Sequence, residues 1–326
     1  MSDDIRGTSR IPLVLDLDTG IDDALALAYA LGSPEVELVG VVSSYGNVTM
    51  ETAARNTCAL LELLGRPDVP VYLGLDRPTA SAGPFSPPPG VVRIHGENGL
   101  GGAVLPCGCR TTRQNGVDFI ANAGVMRHRG LCYVPTGPLT NLAAALRRSP
   151  GLASRLPRVT FMGGALTVPG NVTPCAEANV HNDPEAADAV LRSGLRTCMV
   201  GLDVTHQAIL AREETAAWRE LGAAGRLFAQ MADYYIGIYE KNNPCLGGCA
   251  LHDPLAVAAA IDPTLVRCLP ANLCVDLAGP TRGRTVCCDP ARLCDAEKCC
   301  DVALGVDVPR FLGEFRTRVR RALGGR

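Results

Sequence analysis

Short apolar runs alternate with longer amphipathic stretches along most of this chain. Residues 11–15 are apolar, residues 24–31 carry helical spacing, and residues 36–42 (VELVGVV) form a second apolar run. Residues 52–64 repeat the helical pattern and stop at Gly65, with Pro67 just beyond, a usual way to end a helix. Further strand-like runs at 69–73, 131–134, 159–162 and 196–202 are separated by helical stretches at 116–129, 139–146 and 184–193. Asp183 and Pro184 open the last of these as N-cap and first helical residue. A helix-rich segment runs to Glu240, a helix spans 251–261, and the tail from Asn272 gives two or three strand-like pieces before a basic helix at 308–323. Strands and helices in this alternation form βαβ units. The expectation is an α/β fold with an open, mostly parallel central sheet flanked by helices. No linker or repeat divides the chain, so residues 1–326 are expected to form one domain, with about residues 1–10 as a disordered tail.

The polar residues are placed as regularly as the apolar ones. YGN (45–47), PTGPLTN (135–141), MGG (162–164) and DVTH (203–206) each stand at the carboxyl end of a predicted strand. In open α/β sheets that edge is where ligands bind. Residues 76–102, rich in Pro and Gly and carrying RIHGENGLGG, are a long irregular insertion of the kind that covers a site. The densest signal is DLDTGIDDA, residues 16–24. Asp16 and Asp18, two apart on a strand, face one side, and Gly20 allows a sharp turn. Asp22 and Asp23 then fall in the first turn of a helix, where negative charge is favoured. Four carboxylates so close repel one another, and a hard divalent cation with oxygen ligands is the simplest remedy.

Composition narrows the partners. A net charge of −2 gives no footprint for nucleic acid or an anionic membrane surface. The polar start MSDDIRGTSR lacks a secretory pattern, and no apolar run approaches the ~20 residues of a membrane span. A cytoplasmic enzyme is the expectation. The 15 cysteines include clusters at Cys107 and Cys109, Cys245 and Cys249, and Cys287 to Cys300, yet none forms the paired knuckles of a zinc site. They read as reduced, mostly buried small side chains.

Taken singly, most polar candidates have a plain structural reading. An Asp pair can cap a helix, Asn47 can be a turn residue, Thr136 a cap and Met162 core. Asn171, Glu177 and Asn179 suit sugar hydroxyls or a solvated loop. His252-Asp253-Pro254 opens an apolar helix; beside the first acids it supplies one more carboxylate and a proton donor. His95, in the long loop, is a second candidate donor. His181 reads as a loop or helix-start residue, and His206 as a packed strand-end histidine.

In combination these segments resemble a known family. DLDTGIDDA with Asn47, PTGPLTNLA, MGG, GN…AEANVHNDPEAA, LDVTH and HDPLAVA, in this order, are similar to the nucleoside hydrolases, over about residues 12–306. The resemblance implies hydrolysis of the N-glycosidic bond of ribonucleosides to free base and ribose, in nucleoside salvage. It implies a calcium ion held by Asp18, Asp23, the Thr136 carbonyl and Asp253, which also binds the ribose 2′- and 3′-hydroxyls and a water. Asp18 then takes the water's proton, and Asp16 supports the metal site. Asp22 and Asn47 contact the ribose hydroxyls or the water; Asn171, Glu177 and Asn179 hold the 5′- and 3′-hydroxyls, with Met162 against the sugar. His252 matches the proton donor to the leaving base. His95 matches a loop histidine near the base, and Tyr235 or Tyr239 lines the same side. The resemblance also implies a homo-dimer or homo-tetramer. One departure stands out: many members carry an aromatic residue right after the glutamate of the A-E-x-N segment, where this chain has Ala178, so the preferred base is left open.

Two rivals are weighed. A haloacid-dehalogenase-type phosphatase would use Asp16 as nucleophile with magnesium, but needs a downstream lysine at a strand end, and the chain's two lysines, Lys241 and Lys298, are not so placed. A non-catalytic nucleoside-binding protein would be free to lose acids and His252, all of which are present.

Overall fold

In the computed structural model, residues 10–106, 112–122, 130–287 and 297–324 are described. The strands are β1 (Ile11–Leu17), β2 (Val36–Ser43), β3 (Val71–Leu73), β4 (Cys132–Pro135), β5 (Arg158–Met162), β6 (Thr197–Val200), β7 (Ile209–Leu210), β8 (Cys249–Ala250), β9 (Val266–Ala271), β10 (Leu273–Val275), β11 (Thr285–Cys287) and β12 (Cys300–Val306). Eight of them form one sheet in the order β3-β2-β1-β4-β5-β6-β12-β9. Every pairing in it is parallel except that of β12 with β9. The pairs β10–β11 and β7–β8 form two small antiparallel ribbons.

Both faces of the sheet are buried, as the continuous apolar runs require. Along β1, Leu13, Leu15 and Leu17 enter one core and Val14 the other. The first core also takes the helix Ile21–Leu31, the helix His252–Ile261 and the final helix Val308–Gly324. Tyr29 of the first helix stacks on Phe315 of the last, with Arg318 above the same ring.

The departures from expectation are local. The predicted strand 196–202 ends at Val200, where Gly201 starts the short helix Leu202–Thr205, so LDVT is helical. The long insertion contains a helix, Pro89–His95, which begins on proline. The predicted helix 116–129 is Gly116–Ala121, and its remainder lies outside the described residues, as do Cys107, Cys109, Cys288 and Cys294. Strand β9 was not anticipated: Pro270 within it argues against a central strand, and β9 sits at the sheet edge, where proline is tolerated. Among the described residues no helix is long and apolar enough to cross a membrane.

Candidate active site

The acids meet where β1 runs into the first helix. Asp23 folds back so that its Oδ2 accepts the Gly20 N–H at 2.7 Å, half of a capping box. The Gly20 backbone is ordinary (φ −88°), so, contrary to expectation, no special turn conformation requires glycine there. Glycine is required there by crowding: a Cβ would lie 2.6 Å from His95 Nδ1 and 2.7 Å from Asn47 Nδ2. Gly46 (φ +152°) is under the same constraint, since its Cβ would stand 2.1 Å from Asp18 Oδ2. The close approach lets the Asn47 N–H donate to that oxygen at 2.7 Å. Asn47 Nδ2 and Thr136 Oγ1 donate to the two oxygens of Asp23, at 3.1 and 2.6 Å.

Carboxylate oxygens of Asp22, Asp23 and Asp253 lie within 4.8 Å of one another, and all three side chains are buried. Asp18 is beside them, electrostatically coupled to each. Burial, reinforced by the neighbouring acids, pushes Asp18 and Asp253 well above the usual carboxylate range. Asp22 and Asp23 are pushed up to about 6, mainly by burial. Asp22 and Asp253 lie close enough to raise the cost of ionising both. Asp18 Oδ1 and Asp22 Oδ1 are buried without a hydrogen-bond partner among the described residues. Orphaned oxygens, carboxylates raised by burial and an all-oxygen donor set fit a hard divalent cation, which would favour the ionised acids. The tight trio contains Asp22, where the sequence reading assigned Asp18 as ligand. Asp16 faces elsewhere: its carboxylate accepts from the Tyr133 hydroxyl and Asn141 Nδ2, and burial pushes it up to about 7. Its carbonyl accepts the Thr136 N–H at 2.9 Å, so it supports the site through the backbone.

Next to the acids is a hydrogen-bonded shelf. The Glu177 carboxylate accepts backbone N–H groups of Asn179 (2.9 Å), Gly164 (2.8 Å) and Val180 (3.2 Å), and burial raises its pKa. Asn179 Nδ2 donates to the carbonyls of Thr136 (2.6 Å) and Met162 (3.1 Å). Asn171 Oδ1 accepts the Ala178 N–H at 3.0 Å, which leaves its amide N–H groups for the cavity. The loop carrying Asn171 is pinned by Asp203, which accepts from the N–H groups of Leu166 and Thr167.

A further wall of the cavity is aromatic, and His95 brings it against the acids, 3.9 Å from Asp22. The helix Gly222–Asn242 presents Tyr235, Ile238, Tyr239 and Asn242, the i, i+3, i+4, i+7 positions of one face. The short helix Pro89–His95 presents Val91, Ile94 and His95 in the same way. The Tyr234 hydroxyl donates to the Arg93 carbonyl at 3.0 Å and ties the two helices together. Rings follow one another from His95 to Tyr235 (5.3 Å between centroids), Tyr239 (5.0 Å) and His252 (6.5 Å). His252 is held at both nitrogens, Nε2 by the Tyr239 hydroxyl and Nδ1 by Thr205 Oγ1, each at 2.8 Å. Burial, helped by His206 and His95, pushes its pKa down to about 3, and burial pushes His95 down to about 4.

Acids, shelf and wall enclose one cavity of about 430 Å³, within the roughly 300–1,000 Å³ usual for small-molecule sites. Of the site residues expected from sequence, Asp22, Asn47, His95, Thr136, Met162, Asn171, Glu177, Asn179, Tyr235, Tyr239, His252 and Asp253 line it, Asp18 and Asp23 are buried behind that lining, and Asp16 faces elsewhere. His206 corrects an expectation: it is exposed at the cavity and stands edge-on to His252 at 5.5 Å, where a packed histidine was predicted. Ending the strand at Val200 put it past a helix, not on a buried strand end. Ile238, Asn242 and Leu246 were missed, although helical spacing from Tyr235 pointed to the first two. Among the described residues no cysteine group offers a metal site; Cys58, Cys198, Cys249, Cys274 and Cys300 are buried, Cys132, Cys175, Cys268 and Cys299 are half-buried, and Cys245 and Cys287 are exposed, so burial is less general than expected.

Comparison with known proteins agrees with this geometry. The sequence profile described as inosine-uridine preferring nucleoside hydrolase matches residues 13–313. A pyrimidine-specific ribonucleoside hydrolase, RihA, of Escherichia coli (strain SMS-3-5 / SECEC) is 36% identical over 85% of this chain and 88% of its own. The solved structure of a purine-preferring ribonucleoside hydrolase from Gardnerella vaginalis superposes with a TM-score of 0.93, at 50% identity, over 96% of this chain and 99% of that one. A plant nucleoside hydrolase structure gives a TM-score of 0.85 at 29% identity, over 95% and 99% of the two chains. Fold, cavity and relatives converge, and the chain belongs to the inosine-uridine preferring nucleoside hydrolase family, enzymes that hydrolyse N-glycosyl compounds.

Proposed function

We propose that this enzyme cleaves ribonucleosides to free base and ribose in a calcium-dependent reaction, with purine nucleosides preferred. One observation carries the reading: a buried acid cluster with orphaned oxygens and a doubly hydrogen-bonded histidine line the same cavity. The purine preference draws on the 50% identity to a purine-preferring relative, against 36% for a pyrimidine-specific one, and on the Tyr235–Tyr239 wall, which offers stacking area.

Asp23 and Asp253, with Asp18 or Asp22 and the Thr136 carbonyl, would hold the calcium ion, which would supply charge to orient the ribose diol and to acidify the attacking water. Asp18, whose Oδ1 has no hydrogen-bond partner among the described residues, takes the proton of that water. Asn171, Asn179 and Asn47 orient the ribose hydroxyls. The transition state carries oxocarbenium character, and the buried Glu177 carboxylate favours positive charge on the ring. His252 protonates the departing base. Its depressed pKa of about 3 makes the charged imidazole a scarce but strong acid, which trades population against driving force.

The test is free ribose released from inosine, adenosine, guanosine, uridine and cytidine, with and without a chelator. The expected outcome is faster release from the purine nucleosides, lost on chelation and recovered with calcium. No ribose from any nucleoside would overturn the reading.

A further inference from the structure

We infer that Thr205 is a positioning residue for proton delivery: its hydroxyl holds Nδ1 of His252, so that Nε2 alone faces the leaving base. Thr205 is fully buried, at the end of the helix Leu202–Thr205, and its Oγ1 stands 2.8 Å from His252 Nδ1. Among the described residues no other partner is within hydrogen-bond reach of that hydroxyl. The other ring nitrogen points the opposite way, at the Tyr239 hydroxyl on the cavity wall.

The threonine cannot drift from this position. The Leu202 N–H donates to the Gly164 carbonyl at 2.9 Å and the Thr205 N–H to Gly201 at 3.1 Å. Asp203 clamps the same helix to the loop at Leu166 and Thr167. The backbone that positions the ribose shelf therefore also positions the hydroxyl behind the histidine. For a ring with two unlike nitrogens, the hydrogen bond at one fixes which faces the reacting atom.

The inference rests on His252 as the donor to the base. In the step it serves, the glycosidic electron pair moves onto the base nitrogen and the proton on Nε2 follows it. The other proton stays on Nδ1, donated to Thr205 Oγ1, so the imidazolium that gave up its Nε2 proton is left as neutral imidazole. Without the hydroxyl, a buried Nδ1–H has no partner, and the ring is free to turn away from the base.

The test compares Thr205→Val, which keeps the side-chain shape, with Thr205→Ser, which keeps the hydroxyl, and with His252→Ala. Each is assayed on inosine and on 4-nitrophenyl riboside, whose leaving group needs no proton, and each is checked by thermal melt. Thr205→Val should lower kcat on inosine roughly 10–100-fold with KM little changed, and should leave 4-nitrophenyl riboside unaffected. Thr205→Ser should restore most of the loss. Unchanged kcat on inosine in a folded Thr205→Val protein, while His252→Ala is impaired, would overturn the role of Thr205 alone. Equal losses on both substrates in Thr205→Val would overturn it too, by showing a purely structural effect. Equal losses in His252→Ala would instead overturn the donor reading beneath it. Should Thr205→Val fail to fold, the ¹⁵N resonances of the His252 ring in Thr205→Ser and wild type decide: Nδ1 hydrogen-bonded in both supports the inference, and Nδ1 free in wild type contradicts it.

Discussion

At the floor of the cavity four carboxylates are pushed upward by burial and by one another, while on the wall two histidines are pushed downward, to about 4 and about 3. Desolvation drives both toward neutrality, but the remedies differ. A cation bound at the floor would favour the charged carboxylates, because oxygens of three acids converge there. The wall has no such convergence; its rings are strung along three helices, and their polar tips pair with separate neighbours. The floor is thus suited to grip and activate any ribosyl group, and the wall to treat one leaving group differently from another.

Variants that break this division should do so unequally. Removing a floor acid, by Asp18→Ala or Asp253→Ala, is expected to cost roughly 10³-fold or more in kcat/KM on every riboside, natural or activated. His252→Ala should cost roughly 10²–10⁴-fold on inosine and little on 4-nitrophenyl riboside, in steady-state assays of both. Tyr239→Phe, which removes the partner of His252 Nε2, should cost less on inosine, roughly 5–10-fold, the worth of about one hydrogen bond.

The smallest effect concerns pH. Asp22 and Asp23 are raised from 3.8 to about 6, so in the ion-free protein they contribute stability that is complete below 3.8 and is lost as pH rises through about 6. Calcium binding has the opposite sign, since below about 6 it must displace protons from the same oxygens. The calcium-induced rise in Tm, read by differential scanning fluorimetry, should therefore be larger at pH 8 than at pH 5. An equal rise at both values would place the ion elsewhere.

The same contrast explains what could be read from sequence. The floor was legible because strand, turn and helix start bring Asp16 to Asp23 together within a few residues, and capping places Asp23 by local rules. Even there, the outward turn of Asp16 onto Tyr133 and Asn141 depends on β4 and the helix after it, which lie more than a hundred residues away. The parallel sheet was legible from its apolar runs, whereas the proline-bearing edge strand β9 was not. The wall was harder to see. Tyr235 and Tyr239 were named through resemblance alone, although Ile238 and Asn242 complete their helical face. His206 was misplaced by one short helix, Leu202–Thr205, whose residues read equally well as the end of a strand.

His252 and Asp253 are neighbours in the chain, yet one belongs to the wall and the other to the floor. The most direct measurement is kcat/KM of His252→Ala and Asp253→Ala on inosine and on 4-nitrophenyl riboside, with calcium present. The account predicts that Asp253→Ala loses both substrates and that His252→Ala loses inosine alone. Parallel losses on both substrates in both variants would contradict the division between floor and wall.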